Sequence, residues 1–178
     1  MNKKKLVTEM GRIDRDAFAQ SQKLPLVVVL DNVRSLHNVG SVFRTGDAFR
    51  VECIMLCGIT ATPPSAEIHK TALGAEDVVD WKYYESTMDA VAELRSQGYK
   101  IYSIELCQGS IALQDFVTAP GERYAVVLGN EVKGVQQDVV DASDGAIEIP
   151  QFGTKHSLNV SVTAGMVIWE FAKKLGLV

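Results

Sequence analysis

"LVVVLDNVRSLHNVGSVFRTGDAF", Leu26 to Phe49, sets the architecture. Its first five residues are apolar without alternation, the pattern of a strand covered on both faces, which is characteristic of a parallel sheet. A polar loop follows, and then a helical pattern over Val39–Phe49. A turn needs only Gly, Asn or Asp. Two arginines, Arg34 and Arg44, with His37, Asn32 and Asn38 exceed that need and mark a site.

Working outward, the same alternation recurs. Leu26–Leu30, Val51–Cys57, Val78–Tyr83, Lys100–Leu106, Tyr124–Leu128 and Ala146–Ile149 read as strands. Between them, Val39–Phe49, Glu67–Leu73, Thr87–Gln97 and Gln136–Ala142 read as helices. Ser86 with Asp89 starts the third of these, and Gly74 and Gly98 stop the second and third. The pattern predicts an α/β fold with a mostly parallel sheet and helices on both faces. Asp14 reads as the N-cap of a short first helix, with Ile13 and Phe18 as a hydrophobic staple. Residues 1–178 are expected to be one domain, with 1–24 as a helical N-terminal extension. The last helix, Ser157 to about Lys174, is apolar nearly all round and must be buried on more than one side.

At 178 residues and 47% hydrophobic, the chain can bury one sizeable core. No apolar run approaches the ~20 residues of a membrane span. The start, "MNKKKLVTEMGRIDRDAF", has basic residues but no apolar signal core, so a cytoplasmic protein is expected. Cys53, Cys57 and Cys107 are odd in number and lack CxxC spacing, which argues against disulfides and zinc. His37, His69 and His156 are not spaced as metal ligands, and no metal is expected. Net charge is -4, so a polyanionic partner has to meet a local basic patch.

In an open parallel sheet, ligands bind beyond the carboxyl ends of the strands, which selects the loops beginning at Asp31, Glu105, Gly129 and Pro150. There is no GxGxxG turn, no phosphate-binding GxxxxGK[ST] loop and no GxSxG elbow. The remaining amides, hydroxyls and arginines suit a polar, phosphate-bearing substrate.

"NVGSVFRTGDAF", "VVLGNEVKGV" and "IPQFGTKHSLNVSVTAGMVIWEF", in that order, resemble the three motifs of the SpoU (TrmH-like) family of RNA ribose 2'-O-methyltransferases in the SPOUT superfamily. The resemblance runs from about Pro25 to the C-terminus. Gly46 stands where the family usually has Ala, and Gln151 where it usually has Met. The resemblance implies a C-terminal trefoil knot, S-adenosyl-L-methionine as cofactor and a homodimer with a composite active site. It assigns Asn38, Arg44, Glu131, Ser157 and Asn159 to catalysis. It places the cofactor against Gly129, Ile149 and Leu158, with Ile104 or Glu105 as further contacts.

Methyl transfer to a ribose hydroxyl needs that oxygen aligned behind the methyl carbon and relieved of its proton. Arginine does not readily give up a proton, so the expected role of Arg44 is to clamp a phosphate and lower the hydroxyl's pKa. Structural alternatives exist for the others: Glu131 beside a helix start, and Ser157 and Asn159 as N-caps of the last helix. Arg44, beside Val42 and Phe43, is expected at an interior helix position. Candidate RNA contacts are Lys3, Lys4, Lys5, Arg12, Arg15 and Lys23, with Arg34, Lys133 and Lys155 around the loops. Transfer RNA is expected over ribosomal RNA because the core is small. A non-catalytic, cofactor-binding RNA chaperone is the alternative function.

Overall fold

The computed structural model describes residues 2–178. Seven strands form one sheet: β1 Leu24–Asp31, β2 Val51–Cys57, β3 Trp81–Tyr84, β4 Lys100–Ile104, β5 Ile111–Ala112, β6 Tyr124–Leu128 and β7 Gly145–Glu148. Their order is β3-β2-β1-β6-β4-β7-β5, and every neighbouring pair is parallel. The helices are α1 Arg15–Gln20, α2 Leu36–Ala48, α3 Ala66–Ala72, α4 Thr87–Ser96, α5 Gln137–Ala142 and α6 Val160–Lys174.

The period of two along each strand divides the core into halves. From β1 and β6, Leu26, Val28, Leu30, Val126 and Leu128 pack with Val39, Val42 and Phe43 of α2 and Val167, Ile168 and Phe171 of α6. Val27, Val29, Ala125 and Val127 point the other way, onto Ala90, Val91 and Leu94 of α4 and Val139 of α5. Helices therefore cover both faces, which is why these strands read as unbroken apolar runs. All strands being parallel, the loops after β1, β6, β4 and β7, four neighbours in the sheet, leave from one edge.

Several expected boundaries move. Val78 and Val79 are not strand: Ala75–Asp77 is a 3-10 turn, Val78 has helical dihedrals, and Val79 is buried just after the turn, its N–H donating to Ala75 O at 2.9 Å. The strand from Lys100 ends at Ile104; Glu105 N still reaches Ile147 O at 3.1 Å, and the Glu105 carboxylate accepts from Leu106 N at 2.9 Å and Val135 N at 3.0 Å. β5 is an additional strand of two residues. α2 begins at Leu36 behind its N-cap Ser35, which brings His37 and Asn38 into the helix. α6 begins at Val160, not Ser157, with Asn159 as its N-cap. Asp14 caps α1, accepting from Ala17 N at 2.8 Å. Phe18 is buried, but Ile13 is exposed.

No helix is long and apolar enough to cross a membrane, among the described residues. No cluster of three or more His, Cys, Asp or Glu that could hold a metal occurs among them either. Burial pushes the Cys53 and Cys57 thiols up to about 12, and it also raises Cys107. These are protonated, unreactive thiols at neutral pH.

Candidate active site at the carboxyl edge of the sheet

The carboxyl edge is anchored from below by Asp31, the last residue of β1, which is fully buried. Its carboxylate accepts from Thr87 Oγ1 at 2.6 Å, from Gln136 N and Nε2 at 2.8 Å each, and from Asn32 Nδ2 at 2.9 Å. Four donors replace the water a buried charge gives up. The carboxylate thereby fixes the start of α5 and of α4 relative to β1.

Asn130 links this anchor to the loop after β6. Its Nδ2 donates to Asn32 O at 2.7 Å, while its Oδ1 accepts from Val132 N at 2.9 Å and Lys133 N at 3.1 Å. The backbone of Asn130 and Gly134 exchanges a pair of bonds that closes the loop. A Cβ on Gly129 would run into the Gly134 and Val135 backbone. Gly134 has φ +69°, and a Cβ there would meet Glu105 Oε2. Only glycines allow this loop to fold so tightly and to lie against Glu105.

The closed loop presents Glu131 to the start of α2. Glu131 Oε2 accepts from Arg34 N, and Oε1 from Ser35 N, each at 2.9 Å; Oε1 also accepts from Asn38 Nδ2 at 3.1 Å. Partial burial pushes this carboxyl up. The hydrogen bonds from Arg34 and Ser35 N–H and from Asn38 outweigh that effect and hold it below the usual carboxylate range. The helix-terminus role anticipated for Glu131 is therefore real, but the helix is α2. The expected helix beside it, α5, begins only at Gln137 behind Gln136.

Asn38 passes the connection on, since its Oδ1 accepts from Asn159 Nδ2 at 3.2 Å. Asn159 Oδ1 meanwhile caps α6, accepting from Ser161 N at 2.8 Å and Val162 N at 3.4 Å. Capping and a site connection coexist in one side chain, whose amide has both an acceptor and donors. Ser157 is exposed, two residues before the cap.

A cavity of about 440 Å³ opens beside this set. Ile104, Glu105, Gly129, Ile149 and Leu158, the five positions assigned to the cofactor from the sequence, all line it, as do Glu131 and Ser157. Leu128, Val140 and Ile147 extend its apolar floor, while Asn130, Lys133, Gln137, Gln151 and His156 give it a polar rim. A concavity of this size, with apolar side chains beside about as much polar surface, can hold a small polar organic ligand with an apolar portion.

Arg44 lies elsewhere. It is exposed on α2, whereas Asn38, Val42 and Phe43 of that helix are buried. The expected interior position is thus corrected: adjacent residues on a helix point about 100° apart, so buried neighbours in sequence do not bury Arg44. Reasoning from sequence also passed over Asn130 as a holder of the Glu131 loop. Its place in "GNEVKG", after an apolar strand, was the available signal.

The model of the SpoU rRNA Methylase family matches residues 25–169. The chain belongs to this family. Among curated relatives, a 23S rRNA (guanosine-2'-O-)-methyltransferase RlmB from Nitrosomonas europaea is 34% identical over 145 residues, covering 82% of this chain and 55% of the relative. A tRNA (guanosine(18)-2'-O)-methyltransferase from Aquifex aeolicus is 30% identical over 158 residues, covering 88% and 72%. Among solved structures, the AdoMet-bound rRNA methyltransferase from Sinorhizobium meliloti superposes with a TM-score of 0.79 at 27% identity, over 90% of this chain and 60% of that one. The Aquifex aeolicus TrmH/SpoU tRNA modifying enzyme gives 0.77 at 26%, over 90% and 79%. The SpoU chain described here thus spans between about half and four-fifths of the length of these relatives.

Proposed function

We propose that this chain is an S-adenosylmethionine-dependent methyltransferase acting on a ribose 2'-hydroxyl of RNA in the cytoplasm, as a single domain with residues 1–24 as its extension. The observation that carries this reading is the cavity: the five positions assigned to the cofactor lie around one concavity, beside the Glu131–Asn38–Asn159 connection. The family match supports it, as do relatives named as guanosine 2'-O-methyltransferases of tRNA and of rRNA. The intact polar set weighs against the chaperone alternative, which has no use for it.

The donor set fits the cofactor. Apolar Leu128, Ile147, Ile149 and Leu158 offer a slot for a flat base, and the Gly129–Gly134 loop brings backbone close to it. When bound, the cofactor supplies an electrophilic methyl group. The chain's own contribution is placement and charge. Glu131 holds Asn38 and the start of α2, Asn159 ties α6 to them, and Ser157 is free at the rim to contact ribose. Arg44, exposed on α2, clamps the substrate phosphate and favours loss of the hydroxyl proton to a phosphate oxygen or to water.

Two further features belong to this proposal. Ile104 and Ile111 both pair with Ile147, so the segment 105–110 arches over the carboxyl end of β7. The chain leaving β7 at Ile149 has to pass that arch to reach α6, which supports a trefoil knot. The second feature is a homodimer: α6 presents Val162, Met166 and Trp169 on one exposed stripe, and α6 packs against α2, so a second copy on this stripe would lie near the Arg44 helix. Incubation with labelled S-adenosylmethionine and transfer RNA, then ribosomal RNA, followed by mapping of 2'-O-methyl positions, tests the function. Methylation of transfer RNA is expected, and ribosomal RNA as the better substrate overturns that preference. No incorporation into either RNA by folded protein overturns the reading.

A further inference from the structure

Phe152 is 97% exposed, the most exposed of the large apolar side chains among the described residues. It lies in the segment between β7 and α6, directly after Gln151, which lines the cavity, and before His156, Ser157 and Leu158, which line it too. Residues 152–157 are all exposed; Phe152 does not itself line the cavity, but the backbone that carries it is held at the cavity by Gln151 on one side and His156 on the other, and almost nothing of its own chain covers the ring. Leaving a phenylalanine in water forfeits the free energy its burial would supply.

Chemistry limits what can cover it. If the methyl acceptor is a ribose hydroxyl, the base attached to that ribose lies within a few bonds of the reacting oxygen and so has to rest on the rim. Charges there agree with an anionic strand: Lys155 follows Phe152 by three residues, Lys133 lines the cavity, and Arg34 is exposed at the head of α2. Of the three acids lining the cavity, Glu131 and Glu105 are turned onto backbone N–H groups, and Glu148 accepts from Ser110 Oγ at 2.6 Å. Unpaired bases splayed from RNA are held by stacking on aromatic side chains.

We propose that Phe152 is the stacking platform for the base of the target nucleotide, so that this chain selects an unpaired nucleotide presented in RNA. The inference rests on the methyltransferase reading above. It makes Phe152 a substrate-binding residue whose contact is equally strong in ground and transition states, and such a contact governs KM more than kcat.

The test compares wild type with Phe152→Ala, Phe152→Leu and Phe152→Tyr on the RNA that wild type methylates. The readouts are steady-state kinetics, S-adenosylmethionine titration calorimetry and sedimentation. Ala and Leu variants should raise KM for RNA about tenfold or more, with kcat and cofactor affinity unchanged and the same sedimentation as wild type. Tyr should restore KM, since it keeps the ring. A Leu variant as good as wild type overturns the proposal, because the role is then apolar and not stacking. Unaltered KM in the Ala variant overturns it, as does a loss of cofactor affinity or of the wild-type assembly. An inactive wild type instead defeats the methyltransferase reading on which the proposal rests.

Discussion

Glu131 shows how one side chain serves structure and function together. Its two oxygens take three donors, two of them backbone N–H groups at the start of α2, where the helix dipole also favours negative charge. Glu131→Gln puts an amide NH2 against at least one of those donors and should cost about 1–3 kcal/mol of stability at pH 7. The pH dependence has a definite sign. Because the folded-state pKa lies below the unfolded one, this stabilisation is fully present above the usual carboxylate range and is lost as pH falls through the folded value. Urea melts of wild type and Glu131→Gln should therefore differ at neutral pH and converge in strongly acidic buffer; a constant gap would assign the effect to shape and not charge. Arg44→Ala is the complementary case. Its side chain is exposed, so melting should be unchanged, while the methylation rate falls at least ~100-fold. An unaltered rate would remove Arg44 from the chemistry.

Elements carry the next level, and they differ in how visible they were from sequence. β1, β2 and β6 were legible because helices cover both faces, so their central residues form unbroken apolar runs, Leu26–Leu30, Ile54–Leu56 and Ala125–Leu128. β5 was not, since two residues have no period, and its existence depends on β7 lying beside it. Val78 looked like strand because β-branched residues suit strands, yet the preceding Leu73 and Gly74, both with positive φ, turn the chain into the 3-10 turn Ala75–Asp77, and Val79 is buried just after it. The candidate site divides the same way. The polar loops were legible as an excess over what turns need. That Glu131 serves α2, some 95 residues earlier in the chain, depends on β6 inserting beside β1, which no local pattern encodes. The Gly129–Gly134 loop yields a prediction here. Gly134→Ala adds a Cβ at positive φ, costing about 1 kcal/mol or more, and pushes Glu105 off Val135 N. S-adenosylmethionine titrations should show weakened binding. Glu105→Ala should weaken binding too, without the backbone strain and so with a smaller drop in melting temperature. Wild-type affinity in both would separate this clasp from the cofactor.

At the scale of the molecule, α6 poses a question that a single copy leaves open. Val160, Ala164, Val167, Ile168, Phe171 and Ala172 are buried against the sheet and α2, yet Val162, Met166 and Trp169, at spacings of four and three, are 48%, 44% and 48% exposed. Trp169 touches Phe49 at the end of α2 edge-on, with ring centroids 5.7 Å apart, and leaves its other side bare. A stripe of this spacing is what an antiparallel pairing of the helix with its own copy would cover, and a two-fold axis makes the patch its own complement. An obligate interface built on it should bury more than ~2,000 Å² in total. Met166→Glu places a charge at the middle of the stripe while leaving the buried face of α6 unchanged. The variant should sediment as a folded monomer, with wild-type circular dichroism. If Arg44 of one copy serves the cavity of the other, that monomer should also be inactive, although every residue assigned to the chemistry is intact. Mixing an excess of inactive Arg44→Ala protein with a Glu131→Gln variant of low activity then provides the decisive arm: shared sites predict partial recovery in the mixed dimer, where one of the two sites has both residues intact. A wild type that sediments as a fully active monomer at assay concentration would remove the interface and the shared site together.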